Sequence, residues 1–374
     1  MDPRRMRIHN SDRVLQIIRD GGPISRADVT RVSKLSAPTV SALINDLLAA
    51  GLAEECGEGS SSGGRKPLLV SFNARCGVVL GANIETTLVR LAVADMEGRI
   101  IDKRVVELRA DTRPRNVVRQ FVGAANKVLK EVASERSPLL AVAVGAPGMT
   151  DVNTGFVLEA ANLEKWTDVP LRQMLQDALN VPCLVENDVN LAAMGERWRG
   201  VGTAVDNLVF VSWGTGIGAG ILLGGKLHRG RSWHAGEISH LNVDFREWDN
   251  DFAAAGYLES YLGGVPETRA ARAPRRAGGA VDHSAILRLG AAIANIATLL
   301  DPDAIVFGGR VALKSPDLLK RIHEVASRIA PNCPSIQLTT LGEDASLYGS
   351  LQLALEGANQ RLNALIFDRP GAAA

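Results

Sequence analysis

The sequence predicts two fold classes in one chain: a small winged helix-turn-helix over residues 1–75, then a two-lobed α/β body over residues 76–374. Three observations predict this. Helix-spaced apolar stripes early in the chain end in a hairpin with a glycine-rich tip. From about Cys76 the pattern changes to strands alternating with helices, with many glycines. A strand–turn–strand opening then occurs twice, near residue 77 and near residue 208, as in a diverged duplication.

In the first segment, Val14, Leu15, Ile17 and Ile18 form an apolar stripe behind an expected helix cap at Asn10 or Ser11. Ser25-Arg-Ala-Asp28 resembles a capping box, with the shorter acid in place of Glu. A turn through Ser33-Lys-Leu-Ser36 leads to a third helix whose Val40, Leu43, Ile44 and Leu47 face inward. Strand-like runs at 52–56 and 67–72 flank Gly57-Glu-Gly-Ser-Ser-Ser-Gly-Gly-Arg-Lys66, completing a helix-turn-helix with a wing.

In the second segment, strands are expected at 77–84, 88–94 and 99–108, a helix at 114–133, and strands at 139–144 and 182–185. The second half offers strands at 208–212, 218–223, 226–228 and 304–307. Ile286, Leu289, Ile293, Ile296 and Leu300 mark a core helix, and residues 265–280, rich in Arg, Ala, Gly and Pro, read as a surface insertion. Two lobes of this kind enclose a cleft, the usual place for a ligand.

Composition narrows the function. The chain has 374 residues, 46% hydrophobic and 22% charged, which suits a globular protein with more than one core. Net charge is +1, but residues 1–75 hold 11 basic and 8 acidic side chains, a surplus of three that leaves −2 for the rest. The four cysteines are far apart, which argues against a disulfide framework. No signal-peptide core is evident. The most apolar stretch, 285–300, is broken by Arg288 and Asn295, so the expected location is the cytoplasm, with no membrane partner.

Between Ser36 and Asn45 the third helix presents Ala37, Thr39, Ser41, Ala42 and Asn45 outward, and Ser36, Thr39, Ser41 and Asn45 are the candidate DNA contacts. Small and hydroxyl side chains at a helix N-terminus let the backbone approach a phosphate, and Asn45 can pair with adenine. On the wing, Arg65 and Lys66 sit on a thin glycine backbone able to enter a narrow minor groove. Singly, each has a plainer reading as a solvent face or a linker. Together they predict contact with double-stranded operator DNA.

Several motifs then resemble one family. Ser25-Arg-Ala-Asp28, Ser36-Ala-Pro-Thr-Val-Ser41 and Gly63-Gly-Arg-Lys-Pro67 are similar to the winged helix of ROK repressors, where ROK stands for repressors, open reading frames and kinases. Val144-Gly-Ala-Pro-Gly148, Val185-Glu-Asn-Asp-Val-Asn190, Gly214-Thr-Gly-Ile-Gly-Ala-Gly220, Ala235-Gly-Glu-Ile-Ser-His240 and Asp301-Pro-Asp-Ala-Ile-Val-Phe-Gly-Gly309 resemble the sugar-kinase body of that family. The resemblance implies an actin-like, ribonuclease-H-like duplicated fold. It also implies sugar-binding roles for Asn162, Asn187, Asp188, Glu237, His240 and Glu259, with Asp188 at the position of the kinase base.

Two departures argue against catalysis. Family kinases carry an Asp-x-Gly-Gly-Thr-type turn for metal and phosphate where this chain has Asn83-Ile-Glu-Thr-Thr87. The acid and both glycines are gone, and Glu85 repels a polyphosphate. Many members also hold zinc with a histidine and three cysteines. Residues 243–259 contain no cysteine, so no metal is expected, and packing by Trp248, Phe252 and Tyr257 is expected to stiffen the segment instead. His234, Asp249 and Asp251 offer another donor set, for which scattered surface polarity is the simpler account. The expected function is a repressor of carbohydrate genes, at least a dimer, controlled by a sugar or sugar derivative, with no catalytic residue and no cofactor. The alternative is an ATP-dependent ROK sugar kinase with an added DNA-binding domain.

Overall fold

The fold is given by a computed structural model, which describes residues 3–59, 66–134, 137–160, 163–252, 256–262 and 281–367. Arg65, Asn162 and the whole Arg-rich stretch 265–280 lie outside the described residues.

The chain opens with α1 (Pro3–Gly21), β1 (Ile24–Ser25), α2 (Arg26–Ser33) and α3 (Ala37–Ala49), followed by β2 (Ala53–Glu58) and β3 (Leu68–Phe72). The strands form an antiparallel sheet in the order β1-β3-β2. Val14, Ile18, Val29, Val40, Ile44, Leu47 and Val70 are fully buried between helices and sheet. Ser25 caps α2 as expected, its Oγ accepting from the Asp28 amide at 3.2 Å. The cap expected at Asn10 or Ser11 is not there, because α1 begins earlier. Ser11 lies wholly buried inside that helix, since it sits three and seven residues before Val14 and Ile18 and shares their inward face.

Lobe I contains β4 (Val78–Ile84), β5 (Leu88–Asp95), β6 (Ile100–Glu107), α4 (Pro114–Val132), β7 (Leu139–Ala146), β8 (Met149–Asp151), β9 (Phe156–Glu159), β10 (Thr167–Val169), α5 (Leu171–Leu179), β11 (Cys183–Asn187) and α6 (Asp188–Arg199). Lobe II contains β12 (Leu208–Trp213), β13 (Ile217–Leu223), β14 (Lys226–Leu227), α7 (Tyr257–Leu262), α8 (His283–Leu300), β15 (Ala304–Gly308), α9 (Arg310–Lys314), α10 (Asp317–Ile329) and β16 (Ile336–Leu338). A last helix, α11 (Ala345–Phe367), follows.

The two main sheets run β11-β7-β4-β5-β6 and β14-β13-β12-β15-β16. Numbered within each lobe, the order is third, second, first, fourth, fifth in both. In each, the first strands pair antiparallel and the last two join in parallel. The repeat expected from the two similar openings is therefore a repeat of topology. Helix α8, the described helix long and apolar enough to cross a bilayer, packs in the core of lobe II, with Leu289 and Ile293 fully buried.

Helix α11 returns from lobe II to lobe I and lies on α6, β4 and β7. Glycines permit the close crossing: a Cβ on Gly349 would lie 1.8 Å from the Leu191 carbonyl oxygen, and one on Gly195 would lie 2.1 Å from that of Ala345. Leu347, Leu351, Ala354, Ala358 and Leu362 of α11 belong to the same buried cluster as Val14, Ile18 and Ile44 of the first segment. Arg19 of α1 spans the junction. It donates to Asn359 Oδ1 of α11 at 2.7 Å and to the Met96 carbonyl, and its guanidinium lies 4.8 Å from the Phe72 ring centre.

Candidate functional site

Three neighbouring strands of lobe I deliver one edge of the cleft. Asn187 on β11 pairs with Ala146 on β7, while Gly145 pairs with Asn83 on β4. The carboxyl ends of the three strands thus sit side by side, carrying Asp188, the Pro147-Gly148 turn and Glu85. Adjacent strands lie about 4.8 Å apart, so Asp188 and Glu85 flank the β7 turn on one rim. Gly148 takes φ +79°, and a Cβ there would sit 2.0 Å from the Glu159 oxygen, so the turn demands glycine.

Asn187 is the N-cap of α6. Its Oδ1 accepts from the amides of Val189 and Asn190, both at 2.9 Å, and its Nδ2 donates to the Gly148 carbonyl at 2.9 Å. One Nδ2 hydrogen is left for a ligand. Asp188 begins α6, with Oδ1 accepting from the Val189 amide at 3.0 Å. Burial pushes its carboxyl up to about 7, and the charges of Glu85 and Glu237 add to the rise against the lowering by that amide.

Lobe II supplies the facing side. Gly236, at φ +96°, lies so close to β13 that a Cβ would sit 1.9 Å from the Ala219 oxygen, and the Ala219 amide donates back to the Gly236 carbonyl at 2.8 Å. That contact sets Glu237 beside the cleft. The 3-10 turn Ile238–His240 follows, with His240 exposed. Glu259 on α7 accepts from the Ile217 amide at 3.1 Å, so it stands against the glycine loop. Burial raises both Glu237 and Glu259, while His240 pulls each down. The structure thus brings Asn187, Asp188, Glu237 and Glu259 to one cleft, with His240 one turn from Glu237.

The β4–β5 turn holds an ion network. Arg90 Nε donates to Glu85 at 2.8 Å, and its Nη atoms meet Glu343 and, at 3.9 Å, Asp344. Asp344 also pairs with Lys103 at 2.7 Å. Burial pushes the Glu85 carboxyl up and Arg90 pulls it down; Arg310 of lobe II is close enough to lower it further.

Two residues at this site escaped sequence reasoning. Glu186, buried on β11, accepts from Arg229 Nε at 2.6 Å and from Asn190 Nδ2 at 3.0 Å, tying the segment before Glu237 to lobe I. Its place just before Asn187-Asp188 was the available signal. Arg288 is the other. It donates to Tyr257 at 2.8 Å and Glu247 at 3.1 Å, and lies 4.0 Å from the Tyr261 ring centre. This cluster occupies the region where zinc was considered. Phe252 packs edge-on to Tyr257 at 5.2 Å, as expected, but Trp248 does not join it and is 75% exposed. Arg288 draws in Asp244 and Glu247, so the turn carrying Trp248 is held by its carboxylates and the indole faces out. Among the described residues no group of three His, Cys, Asp or Glu is placed to hold a metal ion, and the donors near His240 do not fit zinc.

In the first segment, Ser36 is exposed and caps α3, its Oγ accepting from the Thr39 amide at 3.3 Å and lying 2.7 Å from Thr39 Oγ1. Asn45 is exposed on the same helix, while Thr39 and Ser41 are half-buried. Lys66 is exposed, 3.7 Å from Glu58. Glu54, Glu55 and Glu58 all point outward from β2, and Glu55 is 3.7 Å from Arg26. The wing therefore carries more acid than its Arg-Lys pair suggests.

The duplicated sheets and the carboxylate-lined cleft between them define the sugar-kinase class of fold. Within that class, the ROK family model matches residues 79–265 and 267–357, and the chain belongs to the ROK family. It is 28% identical to the xylose repressor of Caldicellulosiruptor bescii over 345 residues, covering 84% of this chain and 86% of that one. It is 29% identical to the glucokinase of Halalkalibacterium halodurans over 318 residues, covering 75% of this chain and 96% of the kinase. A solved ROK family transcriptional regulator, a homologue of the Escherichia coli MLC protein, superposes with a TM-score of 0.75 at 21% identity, over 96% of this chain and 98% of that one.

Proposed function

We propose that this chain is a DNA-binding transcription regulator, acting as a repressor of carbohydrate genes, in which residues 1–75 form the winged helix-turn-helix and residues 76–374 sense a sugar. One observation carries the reading: a cleft that keeps the family's sugar-binding carboxylates has an Arg90-bridged glutamate where a kinase holds phosphate and metal. The similarity to xylose repressors across most of both chains supports it. Without a phosphate clamp, sugar binding is left to shift the lobes rather than to start chemistry. Only a ligand with unequal affinity for two lobe arrangements can move the first segment. The buried cluster shared by α1 and α11 offers a route for that movement.

Asn162 is assigned to the sugar and Arg65 to the DNA, with Ser36, Thr39, Ser41, Asn45 and Lys66 around the operator contact. In a homodimer, two such units read half-sites about one helical turn apart, or a multiple of it. Fluorescence anisotropy on the chain's own upstream DNA, at fixed salt, tests the reading. Specific binding that a sugar releases is the expected result; affinity no better than for random duplex would defeat it.

A kinase reading is kept open by the glucokinase relative and by Asp188, whose raised carboxyl suits a general base. Turnover in a coupled ADP-release assay over a sugar panel, abolished by Asp188→Ala, would reinstate it.

A further inference from the structure

We propose that Glu85 is a specificity residue that closes the cleft to phosphorylated sugars, so that the effector is a free sugar with an unesterified hydroxyl at Asp188. This rests on the sugar-sensing reading above and narrows its ligand. The strand register puts Asp188 and Glu85 on either side of the Pro147-Gly148 turn, and Glu237 and Glu259 approach from the other lobe. A hydroxyl held by Asp188 points toward Glu85. A phosphate ester on that hydroxyl would lie between two carboxylates.

Its charge near neutral pH is about −1.5 to −2, and it would need cations there. Arg90 is the nearest on lobe I, and Glu85, Glu343 and Asp344 already surround it. Arg310, at the start of α9, faces the cleft from lobe II, its backbone nitrogen 3.7 Å from where a Gly214 Cβ would stand. Glu85 lies within the field of that guanidinium and offsets it. A free sugar meets no such penalty. Its hydroxyls donate to Asp188, Glu237 and Glu259, and acid-rich walls suit a donor-rich ligand.

Isothermal titration of the full chain provides the test, using D-glucose, D-mannose and N-acetyl-D-glucosamine, each beside its 6-phosphate, with D-xylose as a further free sugar. At least one free sugar should bind, and no 6-phosphate should come within about 100-fold of it, about half to two-thirds of the repulsion between a phosphate of charge −1.5 to −2 and a carboxylate ~6 Å away at an effective dielectric near 20. Glu85→Gln should narrow that gap by about tenfold or more through tighter phosphate binding, leaving the free sugar within about threefold. Glu343→Gln takes one acid from the same Arg90 network at an exposed position outside the cleft and should move the ratio clearly less than Glu85→Gln does, within about threefold. It separates the charge of Glu85 from damage to the ion pair. A 6-phosphate that binds as tightly as the free sugar, or a ratio that Glu85→Gln does not move, overturns the inference while the sensor reading stands. Silence from all seven sugars overturns both.

Discussion

The two lobes share one topology, yet their equivalent turns have met opposite fates. In lobe I, the β4–β5 turn has Glu85 and Thr86 and carries an ion pair. In lobe II, the β12–β13 turn has Gly214 and Gly216, and β13 behind it has Gly218 and Gly220. The retained set looks like a preserved nucleotide loop, but its surroundings give another reason. None of the four has a positive φ, so backbone conformation does not demand them. Space does. A Cβ on Gly220 would lie 2.5 Å from the Val189 oxygen and 2.8 Å from the Ala193 Cβ, and one on Gly216 would lie 2.7 Å from Glu259. Helix α6 fixes Gly220 and Glu259 fixes Gly216. In the β4–β5 turn of lobe I, the Glu85 side chain is held by Arg90 instead.

The comparison can be broken most severely at Gly220. Gly220→Ala should lower the unfolding free energy by about 3 kcal/mol, the range for forcing atoms into a packed site, because both the Val189 carbonyl and α6 would have to move. Urea denaturation reads this directly. A loss below about 1 kcal/mol would mean that the lobes can part cheaply, and that packing does not explain the glycine.

Next in size is restoration of lobe I. Asn83→Asp, Glu85→Gly and Thr86→Gly together rebuild an Asp-x-Gly-Gly-Thr turn opposite the glycine loop. Affinity for magnesium and a non-hydrolysable ATP analogue should rise about tenfold or more, about 1.4 kcal/mol, measured by titration. No gain would mean that the lobe II loop has also lost its fit to nucleotide.

Asp188 opens α6 at the lobe I rim of the cleft. Its carboxyl titrates near 7 in the folded chain against an ordinary 3.8, so between those values the folded state holds a proton that the unfolded state has released. Stability therefore falls as pH rises through this window and levels off above it. Asp188→Asn removes that loss. The variant should gain in Tm over the parent at pH 8, by roughly 2–4 °C for each kcal/mol relieved, with the gain shrinking toward pH 4. Equal Tm differences at both ends would show that burial and the neighbouring carboxylates do not strain this group.

How far the sequence disclosed these features follows from the physics of each signal. Val40, Leu43, Ile44 and Leu47 repeat at helical spacing, and all four are buried in α3. Ser25 was visible as a cap because the bond is local, and it makes it, whereas Ser36, read as the end of a turn, caps α3 in the same way. Strands β8 to β10 escaped, being three or four residues each, too short to show alternation. Helix α11 escaped as an architectural element because its partners on α1, α6 and β4 are distant in sequence and its apolar face is read by none of its neighbours. In the cleft, Asp188 and Glu237 were legible by resemblance, whereas the Glu186–Arg229 pair needed two segments 43 residues apart to meet. Trp248 misled because an aromatic residue near others suggests packing, while two carboxylates beside it had a stronger claim on Arg288.

The smallest expected effect is the one that best isolates packing from ligand binding. Gly214 stands at the mouth of the same loop, but a Cβ there would come no closer than 3.7 Å to the Arg310 nitrogen, an ordinary van der Waals contact. With φ outside the positive region, an alanine fits without strain. Gly214→Ala should therefore change the unfolding free energy by less than about 0.5 kcal/mol, the level of a neutral substitution, and leave sugar affinity untouched. Thermal denaturation with titration of a binding sugar would register either departure. A large loss of sugar affinity at unchanged stability would mean that the loop touches the ligand through its backbone, and that its glycines are kept for recognition after all.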